Sequence, residues 1–226
     1  MNKIGIIGAM ELEVEELKSK MEVSQIVEKA SMKFFEGTLN GKDVVIVQCG
    51  IGKVNAGMCV QILADLFGVD AVINTGVAGS LRAEINIGDI VVSKDACEHD
   101  MDVSPLGYEP GIIPQMKASF FEADRTLVET AMAVCREVNP DIEVYEGRVL
   151  SGDQFIPIQT LYLSIALVLR ALPLRSTTIY ITATTSVMTT APLLRTEPLT
   201  TLWMLCRVST QVNLPLVNSN LSLSAV

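Results

Sequence analysis

The sequence predicts an α/β fold built on a mostly parallel sheet. Short apolar runs end in glycine or other small residues, as buried parallel strands do, and segments with helical character separate them. With 226 residues, 49% of them apolar and 19% charged, the chain is long enough to bury one large core.

Residues 3–10 (KIGIIGAM) read as the first strand. An acidic helix start follows, with Glu11, Glu13, Glu15 and Glu16 where the helix dipole favours carboxylates, and with Leu12, Val14, Leu17 and Met21 as its apolar set. Residues 44–49 (VVIVQC) form a second buried strand, turned by Gly50 and Gly52 into a helix over 54–67. Strands follow at 71–75 and 90–93. Residues 124–138 form a helix with Leu127, Ala131, Val134 and Val138 on one face, and 143–150 form another strand. Ligands of such sheets sit beyond the carboxyl ends of the strands, so the chemistry is expected in residues 9–13, 50–53, 76–80 and 151–156.

The net charge of −9 disfavours a nucleic-acid surface or a basic membrane anchor and points to a small-molecule partner. The first apolar run meets four glutamates at once, which is unlike a secretory signal, so a cytoplasmic protein is expected. Cys49, Cys59, Cys97, Cys135 and Cys206 are scattered without a CxxC pair, which indicates buried thiols rather than disulfides or zinc.

Composition breaks sharply near residue 156. All 15 glycines lie at or before Gly152. Residues 157–226 contain one acid, Glu197, and four arginines, with no lysine and no glycine; 12 of these 70 residues are threonine, against four in residues 1–156. A glycine-free stretch of that length lacks the residue that best supplies left-handed turns and helix ends. The expectation is one domain over 1–226 in which 157–226 is anomalous, a translated frameshift or sequence error; a Thr/Leu-rich domain of another class is the alternative. The run 156–174 is interrupted by Gln159, Arg170 and Pro173 and is too broken to span a membrane.

Several chemistries fall away. Gly50-Ile51-Gly52-Lys53-Val54 lacks the first glycine and the hydroxyl residue of a triphosphate-binding loop, and no GxGxxG follows the first strand. His99 is the single histidine, which excludes a multi-histidine metal site; beside Asp100 it reads as a structural histidine. No metal and no cofactor is expected. Glu13, about three residues past the first strand, can face a ligand at the strand end or simply belong to a solvated first helical turn.

Six ordered strings carry a resemblance: KIGIIGAMELEV (3–14), CGIGKVNAG (49–57), INTGVAGSL (73–81), NIGDIVVS (86–93), HDMDVSPLGYEPGIIPQM (99–116) and VLSGDQFI (149–156). Together residues 1–156 resemble the bacterial 5'-methylthioadenosine/S-adenosylhomocysteine nucleosidases. The resemblance implies a three-layer nucleoside phosphorylase-like fold, with a central mixed β-sheet flanked by helices. It also implies hydrolysis of an N-glycosidic bond with release of adenine, in methionine salvage, by a homodimer.

Residue by residue, the resemblance makes Glu13 the general base that activates water. Met10 and Ile51, with Ala9 beside them, line the ribose and sulfur side. Phe155 stacks on adenine and the backbone at Ile156 meets its edge. Val103 and Pro114 reach the neighbouring subunit's alkylthio pocket, and Val77 replaces a serine that many relatives have. The family's ribose-holding Glu-Met-Glu segment and its Arg-x-x-Ser-Asp segment, which carries the general acid, have no counterpart after Ile156. Glu197 lies in unrelated surroundings, so the acid is unassigned. Two alternatives stay open: a phosphorylase on the same fold, although Arg82, Arg125, Arg136 and Arg148 form no phosphate cluster in a glycine-rich turn, or an inactive purine-binding remnant.

Overall fold

The computed structural model describes residues 2–80, 82 and 84–153, together with the backbone of two later strands, Tyr180–Ala183 and Thr200–Val208. In chain order the elements are β1 (Lys3–Gly8), a 3-10 turn (Glu11–Glu13), α1 (Glu15–Lys20), β2 (Glu22–Lys29), β3 (Met32–Leu39), β4 (Lys42–Gln48), α2 (Lys53–Ile62), β5 (Ala71–Ser80), β6 (Ile90–Glu98), β7 (Phe120–Glu122), α3 (Arg125–Val138), β8 (Val144–Ser151), β9 (Tyr180–Ala183) and β10 (Thr200–Val208).

All ten described strands join one mixed sheet in the order β10-β6-β8-β9-β5-β1-β4-β3-β2, with β7 on β6. β10 also pairs with β5, so β5, β10, β6, β8 and β9 close into a ring, while β1 to β4 extend from it as an open wing. β1 is parallel to both β4 and β5, as expected of strands whose residues are buried on both faces.

The sheet is less parallel than the alternation of strands and helices predicts, because β2, β3 and β4 form an antiparallel meander. Ala30-Ser31 (φ 51° and 61°) and Asn40-Gly41 (φ 51° and 73°) make its two tight turns, the left-handed pairs that twisted hairpins require. β2 is exposed along nearly its whole length and charged, which suits a sheet edge.

Helices cover both faces, giving three layers. α2 packs Ala56, Cys59 and Val60 against Ile7, Val45, Val47 and Val72, and α1 covers the opposite face of the wing over Ile6, Val44 and Ile46. Over β6 and β8 lies α3, started by Asp124, whose Oδ1 accepts the Leu127 N–H at 2.9 Å. Its buried residues are Val128, Met132 and Cys135, with Leu127 and Ala131 at the margin; Val134 and Val138 are exposed, so the inward face is rotated by about one residue from the predicted one.

Other boundaries move too. The first helix is split into the 3-10 turn and a short α1, with Met21 already extended. α2 runs into a π turn, Leu63–Phe67, stopped by Gly68 at φ 66°. β5 continues to Ser80, so 76–80 is strand rather than loop, and β6 runs five residues past its predicted end.

Candidate functional site

The carboxyl ends of β1, β4 and β5 lie side by side, and Glu13 stands over them. After Gly8 the chain turns through Ala9 and Met10 into the 3-10 turn that carries Glu13. Glu13 Oε2 accepts the Met10 N–H at 2.9 Å and Oε1 accepts the Val77 N–H at 3.0 Å. Each oxygen thus has one fixed backbone donor and keeps lone-pair capacity for another proton. These bonds set the direction of the carboxylate.

Two glycines make room for it. A Cβ on Gly76 would sit 2.8 Å from Glu13 Oε1 and 3.2 Å from its carboxyl carbon; one on Gly8 would sit 3.0 Å from Glu13 Cβ and 2.8 Å from Val14 Cγ1. The strand floor under the carboxylate is therefore bare backbone, the usual reason for glycine where another group must come close.

From β4 the chain leaves through Cys49, whose N–H donates to the Gly8 carbonyl at 2.8 Å, into Gly50 and Gly52, both at positive φ (87° and 100°). Asn55 Nδ2 closes this turn on the Ile51 carbonyl at 2.8 Å. Burial first, and then the nearby Glu13 charge, push the Cys49 thiol up to about 12 against the lowering effect of its backbone hydrogen bond, so it stays neutral beside the carboxylate.

The structure thus gathers Ala9, Met10, Glu13 and Val77 around one point. Ala9 is buried, Met10 and Val77 are half-buried, and Ile51 is exposed on the neighbouring turn. Val103 and Pro114 lie elsewhere, half-buried in the segment between β6 and β7, where Val103 precedes the 3-10 turn Ser104–Leu106. Phe155 and Ile156 lie outside the described residues, as does Glu197.

His99 is buried. Its backbone N–H donates to the Ser151 carbonyl at 2.9 Å and its ring lies against Gly152. Burial holds its pKa below the ordinary 6.5, despite Asp100 nearby, which fits a structural role rather than acid-base work. Next to it is a cluster that the sequence reading missed, Lys53 with Glu98, Asp100 and Asp153. Its available signal was a lysine directly after the glycine turn and Asp153 just past the strand at 143–150. Among the described residues no group of His, Cys, Asp and Glu is arranged to hold a metal ion.

A mixed α/β sheet with an oriented carboxylate over glycine-lined strand ends is the architecture of an enzyme acting on a small molecule. A profile of the Phosphorylase superfamily matches residues 3–193. The 5'-methylthioadenosine/S-adenosylhomocysteine nucleosidase of Geobacillus sp. (strain WCH70) is 45% identical over 154 residues, which cover 68% of this chain and 66% of that protein. Among solved structures, the nucleosidase of Neisseria meningitidis in complex with methylthio-immucillin-A aligns with a TM-score of 0.79 at 30% identity, covering 94% of this chain and 87% of that one. The nucleosidase of Colwellia psychrerythraea 34H in complex with adenine aligns with a TM-score of 0.69 at 36% identity, covering 80% of this chain and 79% of that one.

The chain belongs to the Phosphorylase superfamily, and within it to the 5'-methylthioadenosine/S-adenosylhomocysteine nucleosidases. The matched stretch spans just under two thirds of the length of the curated Geobacillus relative.

Proposed function

We propose that this site hydrolyses the N-glycosidic bond of 5'-methylthioadenosine and S-adenosylhomocysteine, releasing adenine and the thioribose sugar. The observation that carries the reading is Glu13, held through both oxygens by the Met10 and Val77 amides over Gly8 and Gly76. A carboxylate so fixed can take a proton from water as the water oxygen bonds to C1' of the ribose. The C1'–N bond breaks through an oxocarbenium-like transition state, and the departing purine takes up a proton from a general acid. Met10, Ile51 and Ala9 line the ribose and sulfur side in this reading, with Val77 at the sugar and Phe155 and Ile156 at the base.

The active form we propose is a homodimer in the cytoplasm, serving methionine salvage, since the sugar product keeps the methionine-derived sulfur. Its support is a set of exposed apolar side chains beside the site: Ile51 on the glycine turn, and Val54 and Met58 one helical turn apart on α2, are 61%, 80% and 39% exposed. Val103 and Pro114 would then enter the partner's alkylthio pocket. No described helix is long and apolar enough to cross a membrane.

We also propose that residues 157–226 are read in a shifted frame within the single domain, and that the restored frame supplies the missing acid and ribose-binding carboxylate. The second reading, a purine-binding remnant without turnover, is favoured by Glu197 being the one carboxylate in that stretch. Adenine release from methylthioadenosine, measured in phosphate-free buffer, tests both. Turnover by the frame-restored chain but not by the 226-residue chain is the expected result. Strict phosphate dependence would replace hydrolysis by phosphorolysis. A coding sequence free of a shift around codons 150–160 would remove the frame proposal.

A further inference from the structure

Four charged side chains from three parts of the chain meet where β6 and β8 end. Lys53 Nζ, at the first residue of α2, lies 3.3 Å from Asp100 Oδ1, 3.4 Å from Asp153 Oδ2 and 3.5 Å from Glu98 Oε1. The Lys53, Glu98 and Asp100 side chains are largely enclosed, at 18%, 12% and 14% exposure. The other Asp100 oxygen accepts the Asp153 N–H at 2.5 Å. Between them Gly152 has no space for a side chain: a Cβ there would sit 2.2 Å from His99 Nε2 and 2.8 Å from Asp100 Oδ2. Glu98 Oε2 is buried without a hydrogen bond, as is the Oγ of its register partner Ser151, so the lysine is the charge that compensates Glu98 here. Burial opposes the lysine's charge, but the three carboxylates prevail and raise its pKa.

The geometry points to Lys53 and Asp100 as positioning residues: they clamp the chain at Gly152 and Asp153 as it leaves β8, and so set where the adenine-binding segment begins. This rests on the nucleosidase reading, in which the residues just beyond Asp153 meet the base. The lysine stands three residues after Gly50, so the clamp ties the exits of β4, β6 and β8 to one point. One cation against three carboxylates leaves the cluster at a net −2, and geometry as well as charge decides whether it holds together.

The test uses the 226-residue chain with adenine as probe, reading its dissociation constant by calorimetry and the hydrogen exchange of the Asp153 amide. Lys53→Met and Asp100→Asn are expected to weaken adenine binding on the order of 10-fold and to speed Asp153 exchange, because a misplaced binding segment loses affinity without losing any contact residue. Lys53→Arg, which keeps charge and reach, should stay within about threefold of the parent. Lys53→Met combined with Asp153→Asn restores the parent net charge without the clamp and should remain weak. Recovery in that double variant would overturn positioning in favour of simple charge balance. Faster Asp153 exchange with unchanged adenine affinity would also overturn it, leaving a purely structural pin. If the parent chain binds no adenine while the exchange effects appear, the positioning role falls and the cluster is a purely structural pin, whereas the nucleosidase reading stands or falls on adenine release by the frame-restored chain.

Discussion

Gly76→Ala is the sharpest probe of how Glu13 is held. The added Cβ would lie 2.8 Å from Glu13 Oε1, and ordinary contact begins at 3.4 Å, so the carboxylate must retreat by about 0.6 Å. The Val77 N–H to Oε1 bond, now 3.0 Å, would then stretch to the limit of hydrogen bonding. A hydrogen bond to a charged group contributes about 1.5–3 kcal/mol, and an ångström of misplacement at a reacting centre costs about 10²-fold. The expected loss in kcat/KM is therefore about 10- to 100-fold, measured as adenine release from methylthioadenosine by the frame-restored chain. Gly76 is not among the glycines at positive φ, so the backbone accepts alanine and the effect isolates the contact. Gly57→Ala is the control: it lies in α2 with nothing within 4 Å of the new Cβ, and should keep full activity and gain about 0.5–1 kcal/mol of stability. A Gly76→Ala enzyme within threefold of the parent would refute the claim that this carboxylate is positioned by the glycine floor.

Three further outcomes are expected. Glu13→Gln places an NH2 donor against one of the two backbone N–H groups and removes the proposed base, so kcat should fall on the order of 10²-fold or more in the same assay; full activity would take the base role from Glu13. Arg148→Met strips the two 2.6 Å bonds from buried Asp95 and removes a guanidinium stacked 4.3 Å from the Phe120 ring centre; urea unfolding should show a loss of about 3–5 kcal/mol, and a loss under about 1 kcal/mol would contradict the pairing. His99 has a lowered pKa in the fold, from burial first, with Lys53 acting in the same direction against Asp100 and Asp153. The unfolded chain therefore binds the proton first as pH falls below 6.5, and stability is lost from there downward at up to about 1.4 kcal/mol per pH unit. In His99→Gln the melting temperature should fall less steeply between pH 6.5 and 5 than in the parent, and parallel curves would refute this.

What the sequence revealed and what it hid differ in range. Residues 9–13 and 50–53 were legible because a strand end announces itself locally, by an apolar run stopping at glycine. The antiparallel wing was not, since β2 buries so little that its residues carry no alternating pattern; Asn40-Gly41 was the available signal, a turn pair that favours hairpins. In α3 the residues 127, 131, 134 and 138 and the residues 128, 132 and 135 both fit a helical period, and only packing on β6 and β8 chooses between them. The Lys53 cluster joins positions about 45 to 100 residues apart, and with β6 read as ending at 93 nothing placed Glu98 and Asp100 at a strand exit.

The same contrast explains why the composition break bears on function more than on fold. β9 and β10 come from the anomalous stretch and still pair, because a ladder is made by backbone groups and tolerates many sequences. Chemistry does not tolerate such substitution. Glu13, its two amide donors and its glycine floor all lie within residues 8–77, so the half of the site proposed to activate water is complete before the break. Departure of the purine needs a proton delivered to its nitrogen, a contribution of about 10²- to 10⁴-fold that a backbone ladder cannot make. In the proposed reaction, water activated by a base alone attacks a carbon whose leaving group is not ready to leave. The residue types after 156, rather than the strands β9 and β10, therefore decide whether the proposed reaction can be completed.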